Sequence, residues 1–116
     1  MNPGMIGAVL GGLAVVAGAF GAHGLRERLD PEQLGWWQTA AQYQLVHALA
    51  LLAVAALIPQ RAASASWCFS LGTLVFCGTL YGMALGAPRW WGAITPIGGA
   101  LMIAGWFLLA WSLRGR

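Results

Sequence analysis

Polar side chains that are able to do chemistry interrupt long apolar stretches of this chain, and they gather toward one end of those stretches. Histidine, glutamine, tyrosine and threonine can relay protons, bind a metal ion or hydrogen-bond a neighbour when they are removed from water. The set consists of His23, Gln42, Tyr43, Gln44, His47, Thr79, Tyr81 and Thr95. At a helical rise of about 1.5 Å per residue, the whole set lies within ~12 Å of that end.

Two interpretations of this polar set stay open. Buried polar groups in hydrocarbon need hydrogen-bond partners, so the set can form an interhelical network that fixes packing. Alternatively, it can line a small polar pocket that opens at the nearby membrane surface. Tyr43 and His47 are four residues apart and share one helical face, and Gln44 lies one turn from His47. The network is the favoured interpretation.

Metal, haem and nucleophilic chemistry are disfavoured by the same positions. His23 and His47 differ in depth by roughly 12 Å, which is too far for both to reach one iron or zinc ion. All three acidic residues, Glu27, Asp30 and Glu32, lie in one short segment, so no Ser-His-acid set is available inside the apolar stretches. We therefore expect no enzymatic activity, no metal site and no cofactor.

The elements that must position these residues are four stretches without Asp, Glu, Lys or Arg, at 4–22, 39–58, 65–85 and 93–113. A helix that spans a membrane needs about 20 apolar residues. Only 8% of the chain is charged and 59% is hydrophobic, whereas soluble domains carry about 25% charged residues. The sequence predicts an all-α polytopic membrane protein, an antiparallel four-transmembrane-helix bundle with short loops that forms one membrane domain over residues 1–116.

Helix boundaries follow from capping residues and prolines. Asp30 is a good N-cap and Pro31 suits a first helical position, so helix 2 is predicted to begin at Pro31 and to enter the membrane near Trp37. It ends at Ile58, because Pro59 cannot continue the hydrogen-bond ladder. The connections between helices 1 and 2 and between helices 3 and 4 then share one end of the bundle. We call this end the connection face and the opposite end the termini face.

Orientation in the membrane stays nearly open, because arginines are balanced between the two ends. The connection face has Arg26, Arg28 and Arg89, and the termini face has Arg61, Arg114 and Arg116. The α-amino group adds one positive charge to the termini face, which slightly favours both termini inside. The chain contains no basic run of the kind that binds nucleic acid, so the lipid bilayer is the expected partner.

The first stretch is rich in glycine. Gly4, Gly7, Gly11, Gly18 and Gly21 fall within about 100° of arc on a helix. Small residues allow helix backbones to approach closely in lipid, so this arc is predicted to be a helix-packing face. A backbone surface that lines a ligand or a pore is the alternative.

Tryptophans are expected to mark both membrane interfaces, as aromatic belts do in spanning bundles. The predicted interface anchors are Trp36, Trp37, Trp90 and Trp91 at the connection face, with Trp67 and Trp111 at the termini face. Trp106 lies well inside the fourth stretch, where we expect it to pack against other helices instead.

Several segments resemble one known family: GAFGAHGL at 18–25, TAAQYQLVHALALL at 39–52, GTLVFCGTLYGMALG at 72–86 and GAITPIGG at 92–99. The chain is similar to the YgdD-like family of small bacterial inner-membrane proteins of unknown function, which has a eukaryotic small transmembrane relative. The resemblance covers nearly the whole chain and implies a four-helix protein of the bacterial inner membrane. It also implies that the family pattern includes His23, Gln44, His47, Tyr81 and the Thr95-Pro96 turn.

Three functions remain in competition. The first is a non-enzymatic accessory, assembly or structural component that packs in a larger membrane complex or a homo-oligomer. The second is a small oligomeric transporter or channel, in which His47 carries ion coupling because the apolar stretches contain no carboxylate. The third is binding of a lipid or quinone headgroup among Arg89 and the tryptophans of the connection face. They are ranked in this order.

Overall fold

The computed structural model describes residues 1–114 and consists of long helices joined by short connections. The α-helices are α1 (Pro3–Ala22), α2 (Pro31–Leu57), α3 (Ala63–Ala84) and α4 (Thr95–Leu113), and 3-10 turns cover Pro59–Arg61 and Arg89–Ala93. All four α-helices are long and apolar enough to cross a membrane, which confirms the predicted all-α polytopic class. Arg116, which was assigned to the termini face, lies outside the described residues.

The N-termini of α1 and α2 are capped by side chains from the residue before each helix. Asn2 accepts a hydrogen bond from the Met5 amide at 3.1 Å. Asp30 accepts from the Gln33 amide at 2.7 Å, while the Asp30 amide donates to the Gln33 side chain at 3.1 Å. This reciprocal capping box satisfies two backbone donors and begins α2 at Pro31, as predicted.

The end of α3 depends on a single glycine. Gly86 has a φ of 113°, a conformation that residues with a Cβ rarely adopt. It allows the Gly86 amide to donate to the carbonyl of Met83 and the Ala87 amide to donate to the carbonyl of Gly82. This pair of bonds closes the helix, and Pro88 prevents it from resuming.

Each helix packs mainly on the next one along the chain, because the connections are too short for any other neighbour to be reached first. As a result α2 and α3 are central, with α1 flanking α2 and α4 flanking α3. The molecule is elongated and flattened, with extents of 49 × 27 × 20 Å. Its long axis is comparable to the thickness of a bilayer with its headgroups.

The apolar interior divides into two clusters along this long axis. One lies toward the termini face and is centred on Leu51, Val54 and Phe69. The other lies toward the connection face and includes Ala40, Cys77, Leu80 and Met83. Between the two clusters, α2 and α3 bring buried polar side chains into the bundle. These side chains are Gln44, His47 and Thr73.

The glycine face of α1 is only partly used in packing. A Cβ atom at Gly7 would lie 2.7 Å from the carbonyl oxygen of Ala48, and one at Gly21 would lie 2.8 Å from the Trp37 ring. Gly4 and Gly11 have only ordinary contacts with α2. Gly18 is exposed and a Cβ there would meet nothing within 4 Å, so its assignment to the packing face was wrong although it lies in the middle of the arc.

The closest helix crossing was not predicted and lies between α3 and α4. A Cβ atom at Gly98 would collide with the backbone of Phe76 and would lie 2.7 Å from the carbonyl oxygen of Gly72. A Cβ atom at Gly105 would lie 2.8 Å from the Phe69 ring. Glycine at these positions therefore lets the two backbones touch, as is typical of close packing in membranes.

Candidate functional site

Gln44 joins three helices through its side-chain amide. Its Nε2 donates to the backbone carbonyl of Leu10 on α1 at 2.8 Å, and its Oε1 accepts from the Tyr81 hydroxyl on α3 at 2.8 Å. Gln44 itself is buried on α2. The hydrocarbon core contains no water to satisfy these polar groups, so the bonds within the protein must do so. The Gln44 amide therefore fixes the position of α1 against α2 and α3.

His47 lies on another side of α2 and has both ring nitrogens engaged. Its Nε2 is 3.1 Å from the Trp106 indole nitrogen, and its Nδ1 is 2.8 Å from the carbonyl oxygen of Tyr43. An indole N–H can only donate, so Nε2 must accept. The proton of this neutral imidazole is therefore on Nδ1, which donates to the Tyr43 carbonyl. This arrangement links α2 to α4.

Thr79 and Thr95 form a third pair, between α3 and α4. Their hydroxyl oxygens are 2.6 Å apart, and that of Thr79 also lies within hydrogen-bond distance of the carbonyl oxygens of Val75 and Phe76. A Thr hydroxyl that bonds its own preceding turn leaves no free polar group toward lipid. This pair fastens the two helices near the connection face.

The structure does not bring the whole predicted set into one pocket. Gln42 and Tyr43 are exposed on α2, and His23 is exposed at the C-terminal end of α1. Tyr43 stacks on His47, with ring centroids 6.1 Å apart, but its hydroxyl does not join Gln44. The residues of the set do not share one pocket, which was the alternative interpretation, because adjacent residues on α2 point about 100° apart and meet different helices.

Two grooves on opposite sides of the central pair replace that pocket. The first, of about 390 Å³, lies between α1 and α3 and contains Gln44, Thr73 and Tyr81. The second, of about 310 Å³, lies between α2 and α4 and contains His47 and Trp106. Both are lined mainly by apolar side chains, so each is suited to a lipid chain or a neighbouring helix more than to a polar solute.

Sequence reasoning missed three donors that complete the site. Trp106 was expected to pack, yet it also donates to His47. Trp37 donates to the Ala17 carbonyl at 2.7 Å, and the Cys77 thiol donates to the Ala40 carbonyl at 3.2 Å. An indole N–H that is removed from water usually finds a partner, so the mid-span position of Trp106 was a signal that the sequence already contained.

The tryptophans of the connection face are tied to the protein as well as to the bilayer. Arg89 lies over the Trp36 ring, 5.4 Å from its centroid, and pairs with Glu32. Trp91 packs against Gly82, and Trp37 packs against α1. Trp67, Trp90 and Trp111 are exposed. Anchoring at the interface stays a prediction for these six residues.

The His47–Trp106 bond predicts energetic coupling between the two residues. Trp106→Phe should lower the free energy of unfolding by about 1 kcal/mol in wild type, since interhelical hydrogen bonds in membranes contribute about 0.6 and up to ~1.7 kcal/mol. In a His47→Ala background the same change should cost less, which a double-mutant cycle in detergent measures. Trp111→Phe is the matched control. Trp111 is exposed, so the change in free energy that this substitution causes should simply add to that of His47→Ala. Strict additivity for His47 and Trp106 would contradict the bond.

For Thr73 we predict the opposite effect, a gain in the free energy of unfolding when its hydroxyl is removed. Its side chain is 1% exposed and its hydroxyl has no hydrogen-bond partner among the described residues. Thr73→Val keeps the shape and removes an unpaired polar group, so it should raise the free energy of unfolding by about 1 kcal/mol. Thr79→Val, which breaks the bond to Thr95, should instead lower it. A destabilised Thr73→Val protein in SDS titration would show that this hydroxyl has a partner.

The fold and this polar interior define a small polytopic α-helical membrane protein. Within residues 1–114, no three His, Cys, Asp or Glu side chains are close enough to hold a metal ion together. Residues 17–99 match the family model described as "Protein of unknown function (DUF423)". The chain belongs to this family.

Relatives confirm the resemblance seen in the sequence. A UPF0382 membrane protein of Staphylococcus saprophyticus is 43% identical over 108 residues, covering 90% of each chain. The UPF0382 inner membrane protein YgdD of Escherichia coli is 40% identical over 106 residues, covering 88% of this chain and 81% of the relative. No solved structure matches. Together with the four spanning helices, these relatives identify a multi-pass protein of the bacterial inner membrane.

Proposed function

We propose that this protein is a non-enzymatic accessory or assembly component of the inner membrane. The observation that carries the proposal is that Gln44, His47, Thr79 and Tyr81 hydrogen-bond to other groups of the protein, which ties the helices together. A catalytic or coupling group needs access to a substrate. These polar groups instead give a rigid scaffold.

The outer faces of the flanking helices support the same proposal. On α1, Val9 and Phe20 are exposed, and on α4, Ile103 and Phe107 are exposed. The connections contain no segment large enough to fold as a soluble module. The intramembrane surface is therefore the main surface that this protein offers to a partner helix, in a larger complex or in a second copy of itself.

The test is the state of the full chain in its native membrane. A tagged chain expressed at its natural level should migrate, after mild solubilisation, in an assembly of fixed composition larger than one chain. Gly12→Leu on α1 and Ala104→Leu on α4 alter exposed positions, and a Cβ at Gly12 meets nothing within 4 Å. At least one of them should release the assembly while the unfolding midpoint does not fall below that of wild type. A monomer in all samples would contradict the proposal.

Binding of a lipid or quinone is the second candidate, favoured by the groove of about 310 Å³ beside His47. Ile103 lines this groove and is exposed, so Ile103→Trp should fill it without disturbing the core. We then expect native mass spectrometry to find a lipid or quinone on wild type and not on the variant.

Transport coupled through His47 has less support, because both ring nitrogens are already hydrogen-bonded. Flux in proteoliposomes that depends on His47 would restore it.

A further inference from the structure

A cavity of about 230 Å³ lies at the termini face, away from the polar interior. It is bounded by the start of α1, the turn Pro59–Arg61 and the first turns of α3. Gln60, Ser66 and Trp67 are among its lining residues. Unlike the two intramembrane grooves, it lies where the chain leaves the membrane between α2 and α3, which is the depth of lipid headgroups.

Ser66 is the unusual residue of this cavity. It is one of the lining residues, is 1% exposed, and has a hydroxyl without a hydrogen-bond partner among the described residues. A Ser in a helix can usually bond the carbonyl of its own preceding turn, and Ser66 does not do so here. A buried hydroxyl that forgoes this bond costs free energy, and a bound acceptor would recover it.

The start of α3 adds donors of the same kind. The first amides of a helix have no intrahelical partners and carry the positive end of the helix dipole. At α1 and α2 a side chain from the preceding residue fills this role, but Ala62 precedes α3 and provides no side-chain cap. Amides at such a position bind anions, phosphate above all. Ala62, Ala63 and Ser66 all line the cavity, so the start of α3 and the Ser66 hydroxyl lie on the same side of it.

The charge distribution favours an anion at this end. Glu27, Asp30 and Glu32 are the acidic residues of the chain, and all three lie at or beside the start of α2, at the connection face. Arg61 is exposed in the turn beside the cavity. An anion there meets a basic group and no carboxylate among the described residues.

We propose that this cavity binds a phosphate group, of the kind carried by a phospholipid headgroup at the termini face. The phosphate oxygens accept from the Ser66 hydroxyl and from the first amides of α3, with Arg61 providing positive charge. The exposed Trp67 lies at the same level and contacts the headgroup region from the side. The proposal is independent of the assembly role above.

The test uses the purified full chain, delipidated in detergent, and the midpoint of thermal unfolding. Dioleoyl phosphatidylglycerol should raise the midpoint by mass action. Dioleoylglycerol, which has the same chains without phosphate, should not. Ser66→Ala should weaken the binding of phosphatidylglycerol about tenfold, because a charge-assisted hydrogen bond is lost. Ser64→Ala is the matched control, since Ser64 is exposed in the same turn and does not line the cavity.

This test distinguishes a loss of phosphate binding from a loss of folding. Without lipid, Ser66→Ala should melt at or above the wild-type temperature, because it removes an unpaired hydroxyl. Inorganic phosphate that reproduces the shift, with the same dependence on Ser66, would support the site and identify free phosphate as a sufficient ligand. An equal shift with dioleoylglycerol, no shift with either phosphate source, or an undiminished shift in Ser66→Ala would overturn the proposal.

Discussion

Gly98→Ala should lower the free energy of unfolding by about 3 kcal/mol, the upper part of the range for overpacking a tight contact. The new Cβ would meet backbone atoms of Phe76 and Gly72, which cannot rotate away as a side chain does. Replacing a helical glycine by alanine normally stabilises a helix by about 1 kcal/mol. The collision is the larger effect, so α3 and α4 must separate. SDS titration followed by tryptophan fluorescence measures the change.

Gly99→Ala is the control for this prediction. Gly99 is the next residue of the same helix, and a Cβ there would make an ordinary contact of 3.7 Å with the Phe76 ring. It should leave stability unchanged or raise it slightly. Equal losses for the two variants would contradict the prediction, because the close crossing of α3 and α4 would then not distinguish Gly98 from Gly99.

The contrast between these neighbouring glycines explains why the tightest crossing was not predicted. The sequence shows five glycines on one arc of α1, and this density pointed to α1 as the close-packed helix. Density does not give the distance to a neighbour, however. Gly98 is close because the Gly72 backbone faces it, and Gly72 lies in a different stretch of the sequence. Such pairings across helices need coordinates.

The spans themselves were predictable because charge is excluded from hydrocarbon. Predicted and observed helix ends agree within about two residues, and Pro31 begins α2 as its capping residue Asp30 required. The resemblance to the YgdD-like family added the inner membrane as location. Neither argument needed any knowledge of which helices touch.

The sequence predicted how deep in the membrane the polar side chains lie, but not which helix each of them contacts. The rise per residue places Gln44 and His47 at similar levels, and that level proved to hold buried polar groups. Which partner each one meets depends on the rotation of α2 between its neighbours. Gln44 reaches α1 and α3, whereas His47 reaches α4. A helical wheel separates the two residues, but it does not say what lies opposite each.

Trp37→Ala should be the most damaging change on the other side of the bundle. The Trp37 indole donates to the Ala17 carbonyl, its ring covers Gly21, and its edge contacts Tyr81 with centroids 4.6 Å apart. Removing a packed tryptophan leaves a cavity that costs about 3 kcal/mol or more. Trp37→Phe keeps most of the volume and should lose only about 1 kcal/mol, the contribution of the hydrogen bond.

The reason for this size of effect is that α1 has few other attachments. It is the least buried of the four helices, and its glycines offer backbone rather than side chains to α2, so Trp37 and Gln44 hold it by its carbonyl oxygens. Trp90→Ala is the control, because Trp90 is 64% exposed and its loss opens no cavity. If Trp90→Ala and Trp37→Ala reduce stability equally in SDS titration, then the contact of Trp37 with Gly21 and Ala17 does not account for the loss.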